Sequence, residues 1–127
     1  MEPVALVMLL VLIEYFYFGL EVGRARERTG IAAPAISGHP EFERFYRVQQ
    51  NTLEQLAIFL PSLWLFGVYV HALLAAGLGL LFLVGRFMYF RAYVADPAGR
   101  GPGFVVGLVA QGLLVLGALG GALVAWL

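Results

Sequence analysis

The chain has no cysteine and no lysine, and only two histidines among its 127 residues. Without cysteine there is no disulfide framework, no thiolate metal site and no cysteine nucleophile. His39 and His71 stand in separate connections between apolar runs, so no metal-ligand spacing exists and no metal is expected. With lysine absent, arginine supplies all eight basic residues, and this Ala-, Gly-, Leu- and Arg-heavy usage suggests a GC-rich bacterial genome. The acidic residues are equally numerous, and a formal net charge of zero leaves no electrostatic reason to expect a nucleic-acid partner.

Charged side chains are scarce, at 13%, whereas 61% of residues are hydrophobic. A soluble domain of this length has too little interior to hide that much apolar surface, so the composition points to a membrane protein. A helix needs about 20 mostly apolar residues to cross the hydrocarbon. Four such runs fill most of the chain. They predict an all-α, four-helix membrane domain over residues 1–127, with helices over 3–23, 41–70, 72–94 and 103–127. The first run starts at Glu2 instead of a basic segment, contains Glu14 and meets no A-x-A-like site, so it reads as a retained helix and not a cleaved signal. Pro61 falls inside the second run, where it removes a backbone donor and is expected to kink the helix. In the fourth run Gly117 and Gly121 form a small-xxx-small pair, suited equally to packing within a subunit or between subunits.

The arginines set the orientation. All eight lie in or beside the first connection, "RARERTGIAAPAISGHP", and the third, "DPAGRGPG". The tight second connection around Tyr69 to His71 has none, and neither terminus has any. The positive-inside rule places loops 24–40 and 95–102 in the cytoplasm and both termini on the opposite side. For a bacterial chain, that membrane is the inner one.

Polar side chains crowd the cytoplasmic edge of the second span, in "FERFYRVQQNTLEQLAIFLP". Arg47, Asn51 and Glu54 stand at i, i+4 and i+7 and share one helix face. Arg86, Tyr89 and Tyr93, at i, i+3 and i+7, do the same in the third span. The tight far-side turn puts both stripes at the same depth. Charges there cost about 2.5–3.5 kcal/mol each at mid-bilayer, so a cluster of them is a functional signal. Arginine offers a planar fork to carboxylates, glutamate accepts from an ammonium, and Asn and Gln pair with amide edges. Together they suit a zwitterionic peptide with additional carboxylates. The plainer alternative is that Arg47, Glu54 and Arg86 pair with one another or snorkel to headgroups.

Two separated segments, "FERFYRVQQNTLEQLAIFLPSLW" and "GRFMYFRAYVADPAGRGPGF", resemble in order and spacing the signatures of the MAPEG family, the membrane-associated proteins of eicosanoid and glutathione metabolism. Within it they look like the branch of type-two microsomal glutathione transferases and leukotriene-forming synthases. The resemblance implies a homotrimer of four-helix subunits that binds glutathione between neighbours near the cytoplasmic surface. It implies conjugation of the glutathione thiolate to lipophilic electrophiles drawn from the membrane lipid, with reduction of lipid hydroperoxides as a second activity. By position, Arg26, Arg47, Gln49, Asn51, Glu54, Gln55, Tyr89 and Tyr93 match the glutathione-holding positions, and Arg100 matches the loop arginine credited with activating the thiol. Gln55 stands where a relative has tyrosine. Glu27 stands where a relative has a second arginine, proposed as a proton donor, which sets this chain apart from leukotriene-type conjugation.

Two other functions compete. A non-catalytic, lipid-presenting member of the same family would lack the arginine and glutamate matched by Arg47 and Glu54 and the loop arginine matched by Arg100; all three are present. A small drug/proton antiporter would use a lone acid in the first helix, as Glu14 superficially offers. It would have no need of the arginine-rich loops or the Arg47–Asn51–Glu54 stripe. Glu14 is instead expected to hydrogen-bond within the bundle or to be protonated there, since burial disfavours the charged carboxylate.

Overall fold

Helix boundaries follow the local chemistry of the chain in the computed structural model, which describes all 127 residues. Helix α1 (Glu2–Thr29) has Pro3 in its first turn, where the missing N–H costs nothing. It ends at Gly30, whose left-handed φ of 74° lets its N–H return to the Arg26 carbonyl at 2.9 Å. Helix α2 (Pro40–Tyr69) starts after His39, whose Nδ1 accepts from the Glu41 N–H at 3.1 Å. Helix α3 (Ala72–Ala95) starts after His71, whose Nδ1 accepts from the Leu74 N–H at 3.2 Å. Both histidines therefore serve as helix caps. Asp96 ends α3, and its carboxylate accepts from the Ala98 N–H at 3.1 Å. A 3-10 turn (Pro97–Arg100) then leads directly into α4 (Gly101–Trp126).

All four helices are long and apolar enough to cross a membrane, and the protein is an all-α membrane bundle with α1 and α3 running against α2 and α4. Large apolar side chains such as Leu6, Ile13, Phe16, Leu116 and Val124 face outward, as they must where lipid is the solvent. Lipid tails are as apolar as leucine, so the bundle is held by close packing and interior polar contacts more than by the hydrophobic effect. The centre contains Val4, Val7 and Val11 of α1, Leu56, Phe59 and Leu63 of α2, Phe82 of α3 and Leu114 of α4. The Phe59 and Phe82 rings stack with centroids 3.8 Å apart. A Cβ placed on Gly85 would lie 2.7 Å from the Gly107 nitrogen, and one on Gly103 would enter the Tyr89 backbone. These glycines let α4 lie directly on α3 and bring the 3-10 turn against the C-terminal half of α3.

One feature differs from the sequence-based expectations, and two others are filled in. Helix α1 continues six residues beyond 23, through "RARERT", so the first connection is 30–39. Hydropathy locates where the hydrocarbon ends, not where the helix does; arginine and glutamate are good helix formers, and Arg24 pairs with Glu21 one turn back. Helix α2 runs unbroken through Pro61, with the next residue, Ser62, bonding its hydroxyl back to the Ile58 carbonyl at 2.6 Å. The Gly117–Gly121 pair is used within the subunit: Gly117 lies against the Phe66 ring, and a Cβ on Gly121 would come 2.8 Å from the Tyr69 carbonyl.

Candidate functional site

At the arginine-rich end of the bundle, three elements meet around a cleft of about 730 Å³, within the range of small-molecule sites. Helix α2 contributes Arg47 and Asn51, one turn apart. Helix α3 contributes Tyr89 and Tyr93, also one turn apart, with rings stacked 5.4 Å centroid to centroid. Arg100 closes the cleft from the 3-10 turn, with Ala98, Gly101 and Phe104 beside it. Arg100 Nη1 donates to the Pro97 carbonyl at 2.9 Å, which fixes the guanidinium near its own turn and leaves four further donors. The side chain of Arg47 is 55% exposed, and its nearest acid is Glu54, 3.9 Å away on the rim. Asn51 leaves its Oδ1 without a partner in the subunit. A smaller recess of about 310 Å³ adjoins, sharing Arg47 and Tyr93 and adding Glu43, Arg44 and Ile36.

The cleft is two-faced: guanidinium groups on one side, tyrosine rings and Phe104 on the other. Such a site offers planar forks to carboxylates and flat faces to peptide and thioether groups. Its framework is held by other arginines. Arg28 Nε pairs with Glu41 Oε1 at 2.9 Å across α1 and α2. Arg44 reaches from α2 to the Ala95 carbonyl at 3.2 Å, anchoring the end of α3 beside the turn.

Five of the nine residues singled out from the sequence thus converge, namely Arg47, Asn51, Tyr89, Tyr93 and Arg100, with Glu54 at the edge. The other three point elsewhere within one subunit. Gln49 lies on the opposite side of α2, about 200° around the helix from Arg47, and faces Gly19 of α1. Arg26 sits 4.6 Å over the Phe42 ring and donates to the Ala35 carbonyl at 2.7 Å, tying down the first connection. Gln55 accepts from Gln111 Nε2 at 2.9 Å, deeper between α2 and α4. Arg86 leaves its expected stripe as well. It is 2% exposed and bonds Thr52, because α4 passes over it at Gly107. Phe104 was missed in the sequence, where nothing but its place after the glycine-rich turn sets it apart from other apolar residues.

The model of the MAPEG family matches residues 4–120. The chain belongs to the MAPEG family. Among its relatives, microsomal glutathione S-transferase 2 of Homo sapiens is 44% identical over 105 residues, 82% of this chain and 71% of that protein. Leukotriene C4 synthase of Rattus norvegicus is 38% identical over 135 residues, 97% and 90%. The uncharacterized protein sll1147 of Synechocystis sp. is 45% identical over 115 residues, 91% and 84%. Both segments that carried the resemblance lie inside the MAPEG match, and the cleft is built from them. In this MAPEG chain, α2 supplies the charged wall and α3 the aromatic one, while the turn before α4 adds a guanidinium between the two.

Proposed function

We propose that the protein is a membrane-bound glutathione transferase, with Arg100 as the thiol-activating residue. The observation that carries this reading is the convergence of Arg47, Asn51, Tyr89, Tyr93 and Arg100 on one cleft at the arginine-rich end, in a family whose relatives include a glutathione transferase by name. Arg47 takes a glutathione carboxylate, Glu54 the ammonium, Asn51 an amide edge, and the tyrosine rings the flat peptide surface.

A free thiol ionises near pH 8.5, and the thiolate is the nucleophile. A guanidinium held against the sulfur in a partly dehydrated cleft favours the anion. Lowering that pKa by about two units takes only about 2.7 kcal/mol of differential stabilisation and turns a minor thiolate fraction at neutral pH into the majority. The thiolate attacks an electrophilic carbon of a lipophilic substrate, forming the C–S bond while the electron pair goes to the leaving group or to a proton-accepting carbon. Entry of that substrate from the bilayer supplies proximity. With a lipid hydroperoxide the same thiolate attacks the O–O bond, and a second glutathione resolves the sulfenate to the disulfide, releasing alcohol and water.

The placement of Gln49 and Arg26 extends the reading. A ligand in the cleft of one subunit cannot touch the far side of that subunit's α2, so these two residues reach glutathione only from a neighbouring copy. We therefore propose a homotrimer with the glutathione site at each junction, which also encloses the exposed Arg47 and Glu54. Gln55, bonded to Gln111, would contact glutathione only by exchanging that partner. Loops 30–39 and 96–100 face the cytoplasm in this reading.

Glutathione titration monitored by thiolate absorbance in the ultraviolet tests the proposal. A saturable thiolate band is expected in the wild type and lost in Arg100→Ala. Saturating glutathione with no such band would identify a lipid-presenting protein instead. Proton-coupled transport lost in Glu14→Gln, with no glutathione binding at all, would identify an antiporter.

A further inference from the structure

The largest fully buried side chain in the protein is not apolar. It is Arg86, enclosed among the helices, where an unpaired guanidinium is costly. Its Nη2 donates to Thr52 Oγ1 at 2.8 Å, and that hydroxyl donates on to the Val48 carbonyl at 2.7 Å. The guanidinium carbon lies 4.3 Å from the centroid of the Tyr89 ring. Its Nε has no hydrogen-bond partner. On α1, Glu14 has a buried Oε1 that also lacks one. Helices α1 and α3 run parallel in constant register: Val7 lies against Gly79, and Phe18 packs on Phe90 at 4.8 Å. The same offset sets Glu14 beside Arg86.

Neither Arg86 nor Glu14 lines the cleft; Tyr89 does. The Tyr89 ring has Arg86 on its bilayer side, Tyr93 stacked on its cytoplasmic side and Phe104 at 6.4 Å. Tyr89 therefore touches both the buried charge and the site. We propose that Arg86 is a positioning residue for the glutathione cleft, with Glu14 as its polar neighbour on α1 and Thr52 as its tether, and that it acts by holding the Tyr89 ring as the cleft's aromatic wall. Burying two polar groups together requires only that Arg86 and Glu14 be near each other; holding the wall requires that both influence Tyr89. The proposal rests on the glutathione reading for its consequence, but not for its geometry.

The experiment uses the full chain in detergent, labelled with 3-fluorotyrosine. Six tyrosines give a fluorine spectrum simple enough for Tyr89 to be assigned with Tyr89→Phe. In ligand-free protein, the Tyr89 resonance is expected to shift and broaden in Arg86→Met and also in Glu14→Gln, and to recover partly in Arg86→Lys. Glu14→Gln is nearly isosteric, so it tests the pair even where Arg86→Met does not fold. A Tyr89 resonance unmoved by Glu14→Gln overturns the pairing, and one unmoved by Arg86→Met overturns the role of Arg86.

The second arm measures the KM for glutathione. Arg86→Met is expected to raise it about thirtyfold, the size of a desolvated cation–π contact, with kcat changing less. In a Tyr89→Leu background the same change should have almost no further effect, because the residue through which it acts is gone. Equal effects in both backgrounds overturn the mechanism. A wild-type protein that binds no glutathione would refute the transferase reading alone, since the ligand-free fluorine spectra would still decide whether Arg86 and Glu14 hold Tyr89.

Discussion

The two ends of the bundle carry cavities of nearly equal size and opposite chemistry. The arginine-rich end has the cleft of about 730 Å³ walled by Arg47, Asn51, Arg100 and the two tyrosines. The far end has a groove of about 660 Å³ among Phe66, Leu74, Leu78, Leu116 and the glycines of α4. Volume alone does not tell them apart. The far groove is walled by apolar side chains and glycines, with Tyr69 its one polar side chain and no charged group. The near cleft presents the guanidinium donors of Arg47 and Arg100 and the amide of Asn51. The difference lies in where the chain spends its few charged residues: every arginine is at or near one end, and four of them, Arg28, Arg44, Arg47 and Arg100, frame or line the cleft.

Substitutions at the two ends should separate accordingly. The largest effect is expected from Arg100→Ala: loss of one preorganised donor to a developing charge typically costs about 10²–10³ in kcat. Steady-state kinetics should show that loss with glutathione affinity changed far less; unchanged turnover would falsify the thiol-activation role. Next comes Arg47→Ala or Glu54→Ala, where a lost charged hydrogen bond of about 1.5–3 kcal/mol predicts a KM for glutathione raised tenfold or more, with kcat largely kept. Isothermal titration gives the same ordering without turnover.

At the far end, Gly121→Leu drives a side chain into the Tyr69 carbonyl. Overpacking of this kind costs about 1–3 kcal/mol, so thermal unfolding in detergent should fall by several degrees while the KM of the protein that remains folded is unaltered. A KM that moved with it would mean the ends are coupled. Smallest of all is Leu74→Ala, at the mouth of the far groove: being half-exposed to lipid, it should alter neither stability nor glutathione KM by more than about the ±0.5 kcal/mol of an ordinary surface change. Topology can be tested on the same comparison. The chain has no native cysteine, so single cysteines at Ala98 and Val70 should be labelled by impermeant maleimide from opposite sides of the membrane.

Much of the site was readable before the structure because helical periodicity is local. Arg47 and Asn51 share a face at any depth, and so do Tyr89 and Tyr93; the structure brings both pairs to one cleft. Arg86 shows where that reading stops. It shares the helix face of Tyr93, yet it is covered because Gly103 and Gly107 let α4 press onto α3 one turn deeper. Nothing in the sequence around Arg86 says which helix will lie over it. Gln49 illustrates a related point: it lies on the side of α2 that meets α1, and positional matching along one chain does not say which side that is. The histidines, set aside as metal ligands, turned out to be helix caps, a role consistent with their place just before each helix and needing only one ring nitrogen.

By itself the amino-acid sequence determined four membrane-crossing helices, the end at which positive charge collects and the residues that stand on common helix faces. Each of these depends only on hydropathy, loop charge and a repeat of 3.6 residues, and so on neighbours along the chain. The tertiary structure alone decided that Arg47, Asn51, Tyr89, Tyr93 and Arg100 share a cleft, that Arg86 lies beneath Tyr89 with Glu14 alongside, and that Gln49 and Arg26 face away. Those outcomes depend on how closely two helices approach and in what register, which glycines at crossing points set and which no single helix encodes.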